Sequence, residues 1–416
     1  MAASWLFRRG FKIKRRPTIK KPHILSFLAG LLPLFILAHF AHHLLGALLT
    51  PLLPFIRDEF ALDYTQAGLL LSVYTWTYGI GQLPAGWLAD RVGPRLLLTI
   101  GISGVALAGL LVGLSTTYIL MAVFLVLLGL AGGGYHPSAA PLISSLVKPE
   151  KRGSILGIHQ IGGTVSFFLA PLIAVGIATH LGWRGSFIAV AVPTLIFGIV
   201  FYMLLGHRGQ SRTIESKRLG GDMEPASTQS QMRRLVAFLT LGIVNYVFIY
   251  SAISFIPLFA VDHLMVSEGA AAILLTVVHS AGLWGGPLGG YLSDRLGRVT
   301  VMLVAMLIAG PAFYFLSISS YGFGIYAVLL VIGLSTYITM PVSESFIIRE
   351  VPEHRRSMVL GIYYFASRGG GGLVMPVLGY LIDQYWFSAS FTLVAAALTG
   401  VTLICALFLW KSRTLD

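Results

Sequence analysis

The octapeptide GWLADRVG at residues 86–93 returns as GYLSDRLG at residues 290–297. The same offset of 204 residues relates Pro137 to Pro341 and Gly157 to Gly361. With one residue of slippage, KPEKRGSILGI at 148–158 matches VPEHRRSMVLGI at 351–362. A repeat of this length, running in one direction, predicts a chain built of two similar halves. Each copy of the octapeptide lies between long apolar runs, so it reads as a short connection between two buried helices.

Outward from the two copies, the apolar runs predict helices near 25–50, 66–88, 96–115, 118–146, 154–179, 184–206, 234–259, 268–291, 299–318, 322–347, 357–382 and 387–410. A helix crosses a bilayer with roughly 20 mostly apolar residues. The composition agrees: 56% of the 416 residues are hydrophobic and 11% are charged, against about 25% charged in soluble proteins. Mean hydropathy is +0.82. The fold class that follows is an all-α membrane protein, with twelve transmembrane helices in two six-helix pseudo-symmetric bundles. The organisation reads as a basic tail (1–23), a first bundle (24–206), a linker (207–233), a second bundle (234–410) and a short tail (411–416). The linker holds RGQSRTIESKRLGGDMEPASTQSQMRR, a polar run with the composition of a flexible connection.

Charge sets the expected orientation. Of the 29 Lys and Arg residues, 26 fall in the N-terminal tail and in the segments on the same side of the membrane. Arg57 and Arg184 fall on the other side, and Arg368 falls inside a helix. Positive residues concentrate on the cytoplasmic side, so both termini are expected in the cytoplasm and the chain in the inner (cytoplasmic) membrane. The net charge of +13 is spread over helix ends, which argues against nucleic acid as a partner. The tail, MAASWLFRRGFKIKRRPTIKK, lacks the form of a cleavable signal and suits attraction to anionic headgroups. Cys405 stands alone, which leaves no disulfide framework and no thiolate metal site.

The pattern Gly86, Asp90-Arg91, Gly93-x-Arg95 resembles the signature loop between helices 2 and 3 of the major facilitator superfamily. Gly290, Asp294-Arg295 and Gly297-Arg298 repeat it, one residue shorter before the last arginine. The resemblance covers nearly the whole chain. It implies a secondary transporter working by alternating access, with these ten residues forming a cytoplasmic gate. Physically, glycines let helix ends approach, and an Asp near a helix end accepts backbone N–H groups and attracts Arg. A narrower likeness is to fosmidomycin-resistance transporters, which are proton-driven exporters of small drugs. Tyr135-His136-Pro137, Gln160-Ile161-Gly162-Gly163, Ala170-Pro171, His39 through Pro54, Glu59-Phe60 and Gln66-x-Gly68 carry it. Two positions depart from these patterns: Ala170-Pro171 stands where the antiporter motif has Gly-Pro, and His43 where an acidic residue belongs.

Ionisable side chains inside a membrane helix cost about 2.5–3.5 kcal/mol at the centre on insertion scales, so they form the candidate site. His39 and His43 share a helix face at i,i+4, with His42 one step round. They fit a substrate or proton site, packing hydrogen bonds, or metal ligation. With no carboxylate nearby in sequence, no metal site is expected. Arg368, in Ser367-Arg368-Gly369-Gly370-Gly371-Gly372, needs an anionic partner, either a solute or a protein carboxylate. Glu344 is that carboxylate candidate and could also carry a proton. His136, His159 and His279 are further candidates. Tyr74, Tyr78, Gln82, Asn245, Tyr246, Tyr250, Tyr363 and Tyr364 could line a cavity.

The expected function is secondary transport of a small polar or anionic organic solute or drug, first as proton-coupled export. Uptake of an organic anion by symport or exchange is the alternative. No G-x-x-x-x-G-K-[ST] loop occurs, which argues against ATP-driven pumping. No HExxH or Ser-His-Asp pattern occurs, which argues against an enzyme. A non-transporting receptor with the same fold would read alike. The expected partners are the solute, protons and the bilayer; no cofactor is expected, and the chain is expected to be a monomer.

Overall fold

The computed structural model describes residues 31–148, 151–205 and 229–411. The expected tail 1–23, the start of the first helix, most of the linker and residues 412–416 lie outside the described residues.

Among the described residues, nine helical stretches are long and apolar enough to cross a membrane. Two of them are broken where the backbone turns left-handed, at Gly182 and at Trp386. A further 29-residue helix, Tyr64–Val92, completes twelve. In chain order these are α1 (Leu32–Phe60), α2 (Tyr64–Val92), α3 (Pro94–Gly113), α4 (Tyr118–Leu146), α5 (152–181) and α6 (183–205), then α7 (229–263), α8 (Glu268–Leu296), α9 (Arg298–Ser317), α10 (Phe323–Glu350), α11 (353–385) and α12 (387–411). The chain is an all-α, multi-pass membrane protein.

Several helix ends differ from the sequence expectation. The first helix runs on past Pro51 and Pro54 to Phe60, with an irregular step at Leu48. A proline usually ends a helix, but packed membrane helices tolerate it because neighbours satisfy the freed backbone groups. The seventh helix reaches His263 rather than residue 259, because its last turn widens into a π-helical stretch, Phe259–His263. Its first turn starts at Gln229, so Arg233 belongs to a helix and not to the linker.

The repeat is visible in the backbone. Gly93 and Gly297, 204 residues apart, both take φ 86° where one helix ends and the next begins. Gly182 and Trp386, also 204 apart, take φ 68° and 66°. Between the halves, α2 packs on α11 and α5 on α8. A Cβ on Gly68 would stand 2.6 Å from the Met375 carbonyl oxygen, and one on Gly282 would meet Thr164. The buried core holds Leu, Ile, Val, Phe and Ala. Large apolar side chains such as Ile119, Phe323 and Leu407 stand exposed. On a soluble protein such a surface would be a liability; against lipid it matches its solvent.

Candidate transport site

A narrow cleft between the halves encloses about 30 Å³. It is walled by Gly46 and Thr50 of α1, Tyr74 of α2, Phe167 of α5, Tyr250 of α7, His279 of α8 and Arg368 of α11. Space of that size holds about one or two water molecules, so the conformation seen is closed too tightly for an organic solute. The guanidinium of Arg368 lies 5.3 Å from the centroid of the Tyr78 ring. Among the described residues, no carboxylate lies at ion-pairing distance from it. The pairing with Glu344 considered from sequence is not made: Glu344 instead accepts a hydrogen bond from Tyr364 at 2.5 Å. Arg368 thus presents a cation at the cleft wall, and the buried Tyr78 hydroxyl beside it has no hydrogen-bond partner among the described residues.

The structure gathers His39, His42, His43 and His136 into one cluster, together with His159. The hydroxyl of Tyr135, a residue named from sequence only as part of the Tyr135-His136-Pro137 motif, is 3.1 Å from His159 Nε2. His39 Nδ1 donates to the carbonyl of His159 at 3.0 Å, and the two rings stack at 4.4 Å. His42 Nδ1 donates to the carbonyl of Gly101 at 2.8 Å. That carbonyl belongs to a π-helical stretch, Ile100–Gly104, whose looser pitch frees a backbone oxygen. His43 and His136 face each other at 3.1 Å between Nε2 atoms. Phe167 separates this cluster from the cleft, 5.3 Å from His43 and 5.8 Å from His279 by ring centroids.

Other candidates divide. Tyr74 and Tyr250 line the cleft, and Tyr246 stacks on Tyr250 at 5.5 Å. His279 lines it too and bonds to Tyr337 at 2.8 Å. Asn245 donates to its own helix at Leu241, leaving its buried carbonyl oxygen unpartnered. Gln82 is half-buried, one turn from Tyr78. Tyr363 is buried beside Tyr364.

Among the described residues, the arginines of the two repeat loops make their contacts within their own halves. Arg91 stacks on Trp87 at 3.8 Å and Arg295 on Tyr291 at 4.6 Å, each within its own helix. Arg95 donates to the Tyr202 carbonyl at 2.6 Å and Arg298 to Ser345 at 2.5 Å, each within its own half. Asp294 is exposed. The side chain of Asp90 and the surroundings of Gly86 lie outside the described residues. A Cβ on Gly157, Gly286, Gly290 or Gly361 would meet nothing.

Polar bonds between the halves are made at the opposite end, in a latch that the sequence reading missed. Arg57 of α1 pairs with Asp262 of α7, and both are mostly buried. Tyr64 donates its hydroxyl to the same carboxylate at 2.8 Å. Asp383 of α11 accepts from the backbone N–H groups of Tyr64 and Thr65, each at 2.9 Å, and from the Thr65 hydroxyl at 2.6 Å. A second half's carboxylate therefore caps the start of α2, which favours negative charge. One available signal was an acidic residue closing an apolar run at Asp262, 204 residues after Asp58.

Comparison with known proteins gives a consistent family. A model described as Major Facilitator Superfamily matches residues 35–261 and 238–416. A probable sulfoacetate transporter of Cupriavidus necator is 26% identical over 390 residues, covering 87% of this chain and 89% of the relative. A multidrug resistance protein of Salmonella arizonae is 24% identical over 377 residues, covering 88% and 91%. The crystal structure of a POT family transporter in complex with 5-aminolevulinic acid superposes with a TM-score of 0.76 at 14% identity, covering 92% and 96%. That last likeness speaks for the fold.

Proposed function

This chain belongs to the major facilitator superfamily, and we propose from that premise that it moves a small organic anion across the inner membrane together with a proton. The observation that carries the reading is Arg368: a guanidinium at the wall of the cleft, with no protein carboxylate paired to it among the described residues. A half-buried cation of this kind is stabilised by an anion that brings its own charge-assisted hydrogen bonds. The relative named for sulfoacetate supports the same chemical class. The repeat-loop end faces the cytoplasm in this reading because the basic residues gather there. The Arg57–Asp262 latch then closes the outer end, and the two halves rock about the cleft.

Glu344 is the proton carrier in this account. It lies inside α10, where among the described residues the Tyr364 hydroxyl is bonded to it. Because Glu344 and Arg368 do not pair, anion and proton need not compete for one site, and both can be loaded together. That arrangement favours symport over the proton-coupled export expected first from the sequence. Drug export in exchange for protons is the second reading, favoured by the segment from Gln160 to Pro171 and by the multidrug resistance relative.

The test uses proteoliposomes with a lumenal pH dye and sulfoacetate as probe. Symport predicts that inward anion flux acidifies the lumen. Glu344→Gln keeps anion counterflow but loses the pH signal. Alkalinisation during inward flux would favour exchange. Flux indifferent both to a pH gradient and to Glu344→Gln would sink the proton assignment.

A further inference from the structure

We propose that His39, His43 and His136 form a binding site for a late first-row divalent transition metal ion such as zinc. One ring nitrogen from each lies within 4.8 Å of the other two. The inference does not depend on the proposed solute. Sequence spacing put two of these rings on one face of α1 but offered no third ligand. The fold supplies it from α4, 93 residues further along the chain.

Three features distinguish this trio from packed histidines. First, the tautomer of His39 is set from behind. Its Nδ1–H is given to the His159 carbonyl at 3.0 Å. Its Nε2 is left as a lone pair, buried and without a partner among the described residues. Metal-ligating histidines show this pattern, one ring nitrogen anchored to a carbonyl and the other facing the ion. Second, His43 and His136 already bring two Nε2 atoms to 3.1 Å. Between neutral rings this contact has one donor and one acceptor. For both to ligate, the donor ring moves its hydrogen to Nδ1, and no proton is released. Third, the set is all imidazole, which suits zinc, copper or nickel and not magnesium or calcium. Zinc–imidazole bonds run about 2.0–2.1 Å, so the ion draws the three rings inward by a small rotation of each side chain. His39 and His43 are buried, and His136 is half-buried, which makes His136 the side of entry. A fourth coordination position is left for water or a solute oxygen, as in zinc sites with three protein ligands.

The experiment titrates zinc chloride into the full-length protein, purified without a histidine tag, in competition with a chromogenic chelator. Wild type binds one ion per chain. His43→Gln and His136→Gln each bind at least about tenfold more weakly, while His180→Gln, at an exposed position, binds as wild type does. Melting curves of the variants without zinc confirm that they fold. Independently of any variant, X-ray absorption of the zinc-loaded wild type shows three imidazole nitrogens at about 2.0 Å. Equal affinity in His136→Gln and wild type, an oxygen-only shell, or no binding below about 0.1 mM overturns the proposal.

Discussion

Arg57 supplies the ion pair that joins the halves at the closed end. Its guanidinium holds Asp262 across the halves and Asp58 in its own helix. Its loss leaves Asp262, mostly buried, with only the Tyr64 hydroxyl. Hydrogen bonds to charged groups are worth about 1.5–3 kcal/mol, so Arg57→Ala shifts the ratio of open to closed outer ends by about ten- to a hundredfold. The readout is maleimide labelling of Thr50→Cys, a cleft residue, in a Cys405→Ser background. Labelling from the Arg57 side accelerates in the variant. An unchanged rate means the pair is not a latch. From sequence, Arg57 was legible only as a charge on the sparsely positive side, because its partner lies 205 residues away. The i,i+4 pair His39–His43 was legible by contrast, since one helix fixes it. His136, His159 and Tyr135 join that pair only through the packing of three helices.

At the scale of elements, the two left-handed glycines between paired helices are the plainest consequence of the repeat. A Cβ on Gly93 would touch nothing, so any cost there is conformational. A left-handed backbone costs an L-residue about 1–2 kcal/mol. Gly93→Ala therefore lowers the melting temperature in detergent. Gly286→Ala, in mid-helix facing open space, raises it or leaves it unchanged, because Gly in a helix costs about 0.5–1 kcal/mol relative to Ala. Equal effects at the two sites would contradict this account of the turn. Helix number and order were readable because apolar runs and basic breaks alternate so regularly. The helix ends at Phe60 and His263 were not, because two prolines and a π-helical stretch are settled by neighbouring helices and leave no local mark.

For the whole molecule, the latch, the cleft and the repeat loops lie in that order along the bundle, and the conformation seen is bonded across its halves at the latch end. Among the described residues, the loop arginines lie in contacts local to their own halves. Between the two ends, at the cleft wall, sits Arg368. The most direct test is equilibrium binding of sulfoacetate and a panel of small carboxylates, sulfonates and phosphates to purified wild type, Arg368→Ala and Arg368→Lys. Removing one partner of a buried charge pair costs about 2 kcal/mol or more, roughly thirtyfold in affinity. Arg368→Ala should lose at least that much for every anion that binds wild type, and Arg368→Lys should recover part of it. Anions that bind wild type and Arg368→Ala with equal affinity would contradict the central claim.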